Sequence, residues 1–315
     1  MSILVTRAGL QSTIQARPRS GQRHLGIPLC GPADPLSMAL ANRLLGNALF
    51  APALEITLSG IEMVFEADCA FAICGASCEL ASNGKAIAAH TVYRAKVGDQ
   101  LRLGPATQGV RSYLAVAGGL AADDFLGSAS TYIPAALGGF GGRALRDHDR
   151  IALACPRTAV SDLQTPEEFR PVPGNAWALR ACPGQEFKSL SSSDQDAVFD
   201  SNFVVGRRGD RMGLQLQGKS FSVASAGQLH SQPIFPGCVQ CPENGVPYLL
   251  GVDAQTTGGY SQLAQVARVD RHVTGQLRAG DRLRLLRRTP QQAATELREK
   301  HSYWRGWLAE IESVI

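Results

Sequence analysis

Three segments in the second half of the chain carry side chains suited to chemistry: "GDRMG" (209–213), "CVQCPENGVP" (238–247) and "DAQTTGGY" (253–260). Arg211 offers a planar fork of donors that matches a carboxylate or phosphate. Gln240 and Gln255 each hold a donor and an acceptor on one carboxamide, the combination an amide ligand needs. Thr256 and Thr257 add hydroxyls. Gly258 and Gly259 let a ligand approach the backbone, and Tyr260 supplies an apolar wall with a hydrogen-bonding tip. Asp210 and Asp253 are open to two roles, as general base or as the carboxylate that holds Arg211, and the second suits them better. Each residue alone is at home in a turn. Together they define a polar pocket for a small amide-like or carboxylate ligand. The expected site places Asp210, Arg211, Asp253 and Gln255 at the chemistry. It places Gln240, Thr256, Thr257, Gly258, Gly259 and Tyr260 around the substrate, with no metal ion.

Other motifs compete and are weaker. "GLQLQGKS" (213–220) satisfies the G-x-x-x-x-G-K-S pattern of a phosphate-binding loop. That loop works only between a buried strand and a helix N-terminus. Here Leu and Gln alternate as in a strand, "FSVAS" follows with strand character, and "RRGDR" precedes. "GGFGG" (138–142) lacks the spacing of a dinucleotide fingerprint and reads as a turn. "CVQC" and "CGASC" (74–78) have no second pair at finger-like spacing, so they read as buried thiols. His24, His90 and His230 are scattered, and no G-x-S-x-G elbow accompanies them.

The elements that must position the pocket are short strands. "EITLSGIEMVFEA" (55–67), "CAFAICGA" (69–76), "SYLAVAGGL" (112–120), "MGLQLQG" (212–218), "VPYLLGV" (246–252) and "QLAQVARV" (262–269) are apolar or alternating runs divided by turn residues. Such spacing predicts barrels or sandwiches, not βαβ units. "KVGDQLRLG" (96–104), "LRDHDRIALA" (145–154) and "RAGDRLRLL" (278–286) each read as an acidic turn leading into a strand, and hint at two related β units. Helices are few. Asp34 caps and Pro35 opens one over 34–47, with Leu36, Leu40 and Leu44 on one face. Thr289 and Pro290 open a second over 289–315, whose stripe Leu297, His301, Trp304, Leu308 and Ile311 covers a barrel or a partner. The Pro-rich "PRTAVSDLQTPEEFRPVPGN" (156–175) divides the chain into domains 1–165 and 166–315.

Composition narrows the function. Lys and Arg (31) exceed Asp and Glu (27) only slightly, and aromatic residues are 6%, which argues against nucleic-acid binding. The densest basic run, "RLRLLRR" (282–288), alternates and reads as a strand with a solvated Arg face. No apolar run is long enough to cross a membrane as a helix. "MSILVTRAGLQSTIQA" lacks the basic start and apolar stretch of a signal peptide, so a cytoplasmic chain with eight free thiols is expected.

"GPADPLSMALANRLLGN" (31–47), "LEITLSG" (54–60), "DRMGLQLQG" (210–218) and "DAQTTGGY" (253–260) resemble the biotin-dependent carboxyltransferase family, also called the allophanate hydrolase subunit 2 family. The resemblance runs through nearly the whole chain and extends to the carboxyltransferase region of urea carboxylase. Free-standing members of this length look like the C-type member of ATP-dependent 5-oxoprolinase. It implies a mainly β chain with two cyclophilin-like β-barrel domains. It also implies two partners: a B-type protein of the allophanate hydrolase subunit 1 kind, and a third oxoprolinase subunit. ATP would then serve the complex in opening the 5-oxoproline lactam to glutamate. Carboxyl transfer to urea or a related amide is the alternative, as is a non-catalytic regulator that relieves a B-type inhibitor of a kinase. Lys85, Lys96, Lys188, Lys219 and Lys300 are the only lysines and none adjoins a methionine, so biotin would have to ride on another chain. Two positions depart from the family pattern: Ala129, where many relatives place Arg, and His148, where a turn glycine is common.

Overall fold

Apolar alternation becomes strand over most of the expected runs in a computed structural model that describes residues 1–223 and 229–315. The run 112–120 stops as strand at Val116, and the run 262–269 stops at Val266, with Arg268 and Val269 opening a helix instead. The chain is mainly β, 37% strand and 19% helical. It divides into two compact units: Met1–Ser20 with Cys30–Pro173, and Gly21–Leu29 with Gly174–Ser313. The short excursion 21–29 thus joins the second unit.

In the first unit the strands are β1 (Ser2–Arg7), β2 (Gln11–Gln15), β3 (Ala53–Thr57), β4 (Glu62–Phe65), β5 (Cys69–Ser82), β6 (Lys85–Ala86), β7 (Val92–Ala95), β8 (Gln100–Val116) and β9 (Arg150–Ala152). They form one nine-stranded sheet along the path β2-β3-β8-β4-β1-β9, with β5 branching from β8 to β6 and β7. The run 55–67 is therefore two strands. Gly60 turns between them so close to β8 that a Cβ there would stand 1.6 Å from the Leu103 carbonyl oxygen. Val5, Ile14, Leu54, Phe65, Phe71 and Leu114 are among the side chains that fill the core. Helix α1 (Pro35–Leu44) packs on β5 and β8. The Asp34 carboxylate accepts from the Ser37 N–H at 3.1 Å, as an N-cap should. Glu55, 1% exposed, accepts from the Ala33 N–H at 2.9 Å and the Tyr113 hydroxyl at 2.7 Å, which pins the loop before α1 to the sheet. The 128–130 loop, which carries Ala129, already surrounds a guanidinium. Arg19 is fully buried, and its Nη2 donates to the carbonyls of Ser128 at 3.1 Å and Ser130 at 3.0 Å.

The second unit contains β10 (Ala176–Pro183), β11 (Phe203–Gly209), β12 (Gly213–Gln217), β13 (Gln232–Pro233), β14 (Cys238–Cys241), β15 (Tyr248–Leu250), β16 (Thr257–Gly258), β17 (Ser261–Val266) and β18 (Arg282–Arg287). Seven of them close a barrel in the order β10-β17-β14-β15-β12-β11-β18. The closing pair, β10 with β18, is parallel; its neighbours are antiparallel. Leu283 and Leu285 point into the barrel while Arg282 and Arg284 are exposed, so the basic run is a solvated strand face. β13 and β16 form a separate two-stranded ribbon.

The helical expectation needs correction at the C-terminus. Helix α4, introduced after α2 (Ser192–Asp200) and α3 (Arg268–Arg271), spans Pro290–Trp304 and not 289–315. Its start is as expected, with a capping box between Thr289 and Gln292. Beyond Trp304 the chain turns; Leu308 is buried from that turn and Ile311 from a short 3₁₀ helix, Ile311–Ser313. α4 packs on α3 and β10, and Trp304 is 6% exposed, so this tryptophan is core and offers no face to a partner.

The three similar segments share one device. Asp99, Asp149 and Asp281 each accept a side-chain hydrogen bond from the backbone N–H three residues earlier, at Lys96, Arg146 and Arg278. Each also donates its own N–H to the carbonyl of that same residue. The third turn position must be left-handed, and it is Gly98 (φ 90°), Gly280 (φ 94°) and His148 (φ 72°). Two turns use glycine; the third strains an exposed histidine into a conformation that costs an L-residue about 1 kcal/mol. His148→Gly is expected to raise the unfolding midpoint of the first unit, by about 1 kcal/mol of stability in a denaturant titration. An unchanged or lower midpoint would show that the histidine is not strained there.

Candidate functional site

The pocket begins with the turn between β11 and β12. Asp210 Oδ1 accepts from the N–H groups of Met212 at 2.7 Å and Gly213 at 3.3 Å, folding 210–213 back on itself. This turn drives the Arg211 side chain inward, where it is only 6% exposed. Its Nε donates to Asp253 Oδ2 at 2.7 Å and its Nη2 to Asp253 Oδ1 at 2.9 Å, a fork-on-fork pair. The backbones follow: Asp253 N–H donates to the Arg211 carbonyl at 3.1 Å and Gly251 N–H to the Met212 carbonyl at 2.8 Å. Gly251 is required at that crossing, because a Cβ would stand 2.3 Å from the Arg211 oxygen. Asp253 is therefore the carboxylate that holds Arg211, and Asp210 instead shapes the turn.

Above this staple opens a pocket of about 360 Å³. Asp210, Gln240, Gln255 and Tyr260 line it, four of the residues expected from sequence. Gln240 is 3% exposed on β14. Its Oε1 accepts from Gln255 Nε2 at 3.3 Å, and its Nε2 donates to the Tyr260 carbonyl at 3.4 Å. The two carboxamides thus form a chain whose outer member, Gln255, is exposed.

The other expected residues lie beside the pocket. Arg211 and Asp253 are the staple, and neither lines the cavity. Thr256 is buried, and its carbonyl accepts from the Ile234 N–H at 2.9 Å. Thr257 and Gly258 pair with Pro233 and Gln232 in the β13–β16 ribbon. Gly258 makes room for the amides, since a Cβ there would stand 2.9 Å from Gln240 Nε2 and 2.5 Å from Ile234 Cδ1. Gly259 continues this ribbon towards Tyr260, packing near the Leu229 carbonyl.

Several lining residues are not evident from side-chain chemistry in the sequence: Arg208, Met212, Pro242, Tyr248 and Leu250. The strand period held a signal for two of them. In "VPYLLGV", Leu249 enters the barrel core, so Tyr248 and Leu250 must face the other way. Tyr248 hydroxyl accepts from Gln215 Nε2 at 3.3 Å. Arg208 sits in "GRRGDR", a run that looks like an ordinary solvated turn. It lines the pocket as an exposed guanidinium with no ion-pair partner among the described residues.

Competing motifs resolve on geometry. The phosphate-loop pattern is strand β12, no helix follows at Phe221–Val223, and Lys219 Nζ pairs with Asp194 at 2.9 Å. The last two residues of "FSVAS" lie outside the described residues. "GGFGG" is a loop in which Gly138, Gly139, Gly141 and Gly142 all have positive φ. His90 is buried, and desolvation lowers its pKa to about 4, so it is neutral and structural. His24 and His230 are exposed. Cys238 and Cys241 are buried on β14, and burial pushes both thiols up to about 12. Among the described residues no His, Cys, Asp and Glu cluster suits a metal ion, and no helix is long and apolar enough to cross a membrane.

A mainly β chain with a closed barrel and a polar, amide-lined pocket at its edge is the class these observations define. The chain belongs to the family described as carboxyltransferase domain, subdomain A and B, whose model matches residues 25–287. It is similar to the C-subunit of 5-oxoprolinase from Escherichia coli K12, 35% identical over 95% of this chain and 96% of that one. It is also similar to the 5-oxoprolinase C-subunit of Haemophilus influenzae, 33% identical over 96% of each. Among solved structures, the urea amidolyase of K. lactis is similar with a TM-score of 0.89 and 26% identity, covering 96% of this chain and 20% of that one.

Two measurements check this description. Asp253→Ala leaves the Arg211 charge buried without its partner and is expected to cost about 3–5 kcal/mol in denaturant unfolding. A loss below about 1 kcal/mol, typical of an exposed pair, contradicts the staple. Iodoacetamide at pH 8 is expected to modify exposed Cys155 in the native chain and to reach Cys238 and Cys241 only after unfolding. Rapid native labelling of either shows that β14 is open.

Proposed function

We propose that the chain is one member of a heteromeric, ATP-dependent 5-oxoprolinase that opens the 5-oxoproline lactam to glutamate. The observation that carries this reading is the pairing, in one pocket, of the Gln240–Gln255 carboxamides with the exposed Arg208 guanidinium. A cyclic amide presents a carbonyl and an N–H side by side, and a carboxamide supplies the matching donor and acceptor. The ring carboxylate matches a free guanidinium. Anion recognition thus falls to Arg208, while Arg211 shapes the pocket from beneath. Two bacterial relatives named as 5-oxoprolinase components support the same choice.

The chemistry follows from the stability of the amide. A lactam resists attack by water because nitrogen donates into the carbonyl. Phosphorylation of the lactam oxygen by ATP elsewhere in the complex turns that oxygen into a leaving group. ADP leaves at that phosphorylation. One water then adds to the carbon and the ring C–N bond opens, the nitrogen leaving as the protonated amine of an acyl phosphate. A second water hydrolyses the acyl phosphate to glutamate and phosphate. This chain contributes orientation through Gln240, Gln255 and the Tyr260 wall. Asp210 is the carboxylate lining the pocket and takes the base role towards water. The complex is completed, in the cytoplasm, by a protein of the allophanate hydrolase subunit 1 type and by a third oxoprolinase subunit. Carboxyl transfer is the second reading, favoured by the similarity to urea amidolyase. There the same carboxamides would hold a ureido group, and biotin would arrive on another chain.

Reconstitution with the partner proteins tests the proposal. The expected result is ATP hydrolysis that depends on 5-oxoproline, with KM raised about 10-fold or more by Arg208→Ala or Gln255→Ala, the loss of a hydrogen bond to a charged group or amide. Stimulation by urea with a biotin carrier, and none by 5-oxoproline, selects the second reading. An unaltered KM in both variants removes the pocket from the reaction.

A further inference from the structure

The segment 21–29 is the one part of the first fifth of the chain that belongs to the second unit. It contains a single 3₁₀ turn, Arg23–Leu25, closed by Gly26 at φ 78°. Pro28 alone among its residues is buried, which raises the question of what holds the segment there. Arg23 is the answer. Its Nη2 donates to the carbonyl of Ile234 and, at 3.3 Å, to the carbonyl of Thr256. Its guanidinium carbon lies 4.7 Å from the centroid of the Phe235 ring. Burial lowers its pKa, yet an arginine remains charged there.

These two carbonyls belong to opposite strands of one ribbon. Ile234 follows β13 and Thr256 precedes β16, and the Ile234 N–H donates to the Thr256 carbonyl at 2.9 Å. One guanidinium therefore bridges the end of a ribbon that has only two residues on each side. So short a ribbon is marginal by itself. Its position matters to the pocket for two reasons. Gln255, the exposed carboxamide, is the residue next to Thr256. Ile234 packs at Gly258, beside the Gln240 amide.

We propose that Arg23 is a positioning residue for the pocket: it clamps the β13–β16 ribbon through the Ile234 and Thr256 carbonyls and thereby holds the Gln255–Gln240 amide pair in register. The clamp stands on its own geometry, and its consequence for catalysis rests on the function proposed above. The mechanism is electrostatic and local. A charged donor shared between two carbonyls is stronger than a neutral one, and the stack on Phe235 fixes the plane of the fork. Lysine can reach one carbonyl but cannot bridge both in a plane.

Hydrogen exchange on the full chain tests the clamp without reference to any substrate. In Arg23→Ala the Ile234 amide is expected to exchange about tenfold faster or more, the loss of a charge-assisted bond. The amides of Leu216 and Val266, bonded within the barrel to the carbonyls of Pro247 and Gly237, are expected to keep their wild-type rates. Arg23→Lys is expected to recover part of the protection. Unchanged exchange at Ile234, or equal acceleration at all three amides, overturns the clamp. In the reconstituted complex, Arg23→Ala is expected to raise KM for 5-oxoproline with kcat largely kept. If the wild-type complex does not respond to 5-oxoproline, the proposed function fails while the exchange result still decides the clamp. Faster exchange with an unchanged KM overturns the positioning role.

Discussion

The ion pair of Arg211 and Asp253 is the constraint from which the pocket follows. Two charges taken out of water are tolerated only when each satisfies the other, and the fork geometry here does so with two short bonds. That requirement fixes the separation of the 209–213 turn from the 251–253 segment. Gly251 follows, because the backbones then cross too closely for a side chain. The Asp210 turn follows as well, since it must aim the guanidinium inward. Pocket walls are then fixed on two sides before any ligand arrives.

The same interaction explains a division of labour between neighbouring arginines. A guanidinium already satisfied and buried has little to gain from a ligand carboxylate, which would have to displace Asp253 and leave it uncompensated. Arg208, three residues earlier, is exposed and lines the cavity, so a ligand anion meets it without that penalty. Sequence chemistry alone does not separate the two, because both are arginines in one glycine-punctuated run, although Arg208 ends up on β11 and Arg211 in the turn after it. Burial separates them, and burial depends on a contact with a residue far along the chain.

Much of the architecture was legible for a related reason: its causes are local. Alternation gave the strands, Asp34 and Thr289 gave the helix starts, and the acidic turns marked strand entries. The stop of α4 at Trp304 was not legible, because the apolar spacing continues through Leu308 and Ile311 while the chain itself turns. The closed barrel of the second unit rests on a parallel pairing of β10 with β18, which no local pattern announces. In the site, Gln240, Gln255, Asp210 and Tyr260 could be named from side-chain chemistry. Tyr248 needed the strand's facing, and Arg208 needed the fold. The excursion 21–29 was invisible as a contributor, since its residues have the composition of an ordinary loop.

The density of polar groups in "DAQTTGGY" now has a physical account. One part, Asp253, neutralises a buried cation. Another, Thr256 to Gly258, builds a ribbon whose carbonyls and missing side chains set the place of two amides. Only Gln255 and Tyr260 present themselves to the cavity. A carboxamide pair is indifferent to whether the ligand amide is a lactam or a ureido group, because both offer a carbonyl beside an N–H. A scaffold of this kind therefore suits relatives named for 5-oxoproline and relatives named for urea. On the proposed reading, charge completes the site: 5-oxoproline carries a carboxylate, and on the second reading an N-carboxylated ureido group carries one too. An exposed arginine at the pocket, with no ion-pair partner among the described residues, supplies an anion site beside the amide pair that either carboxylate can use, and Arg208 is such an arginine.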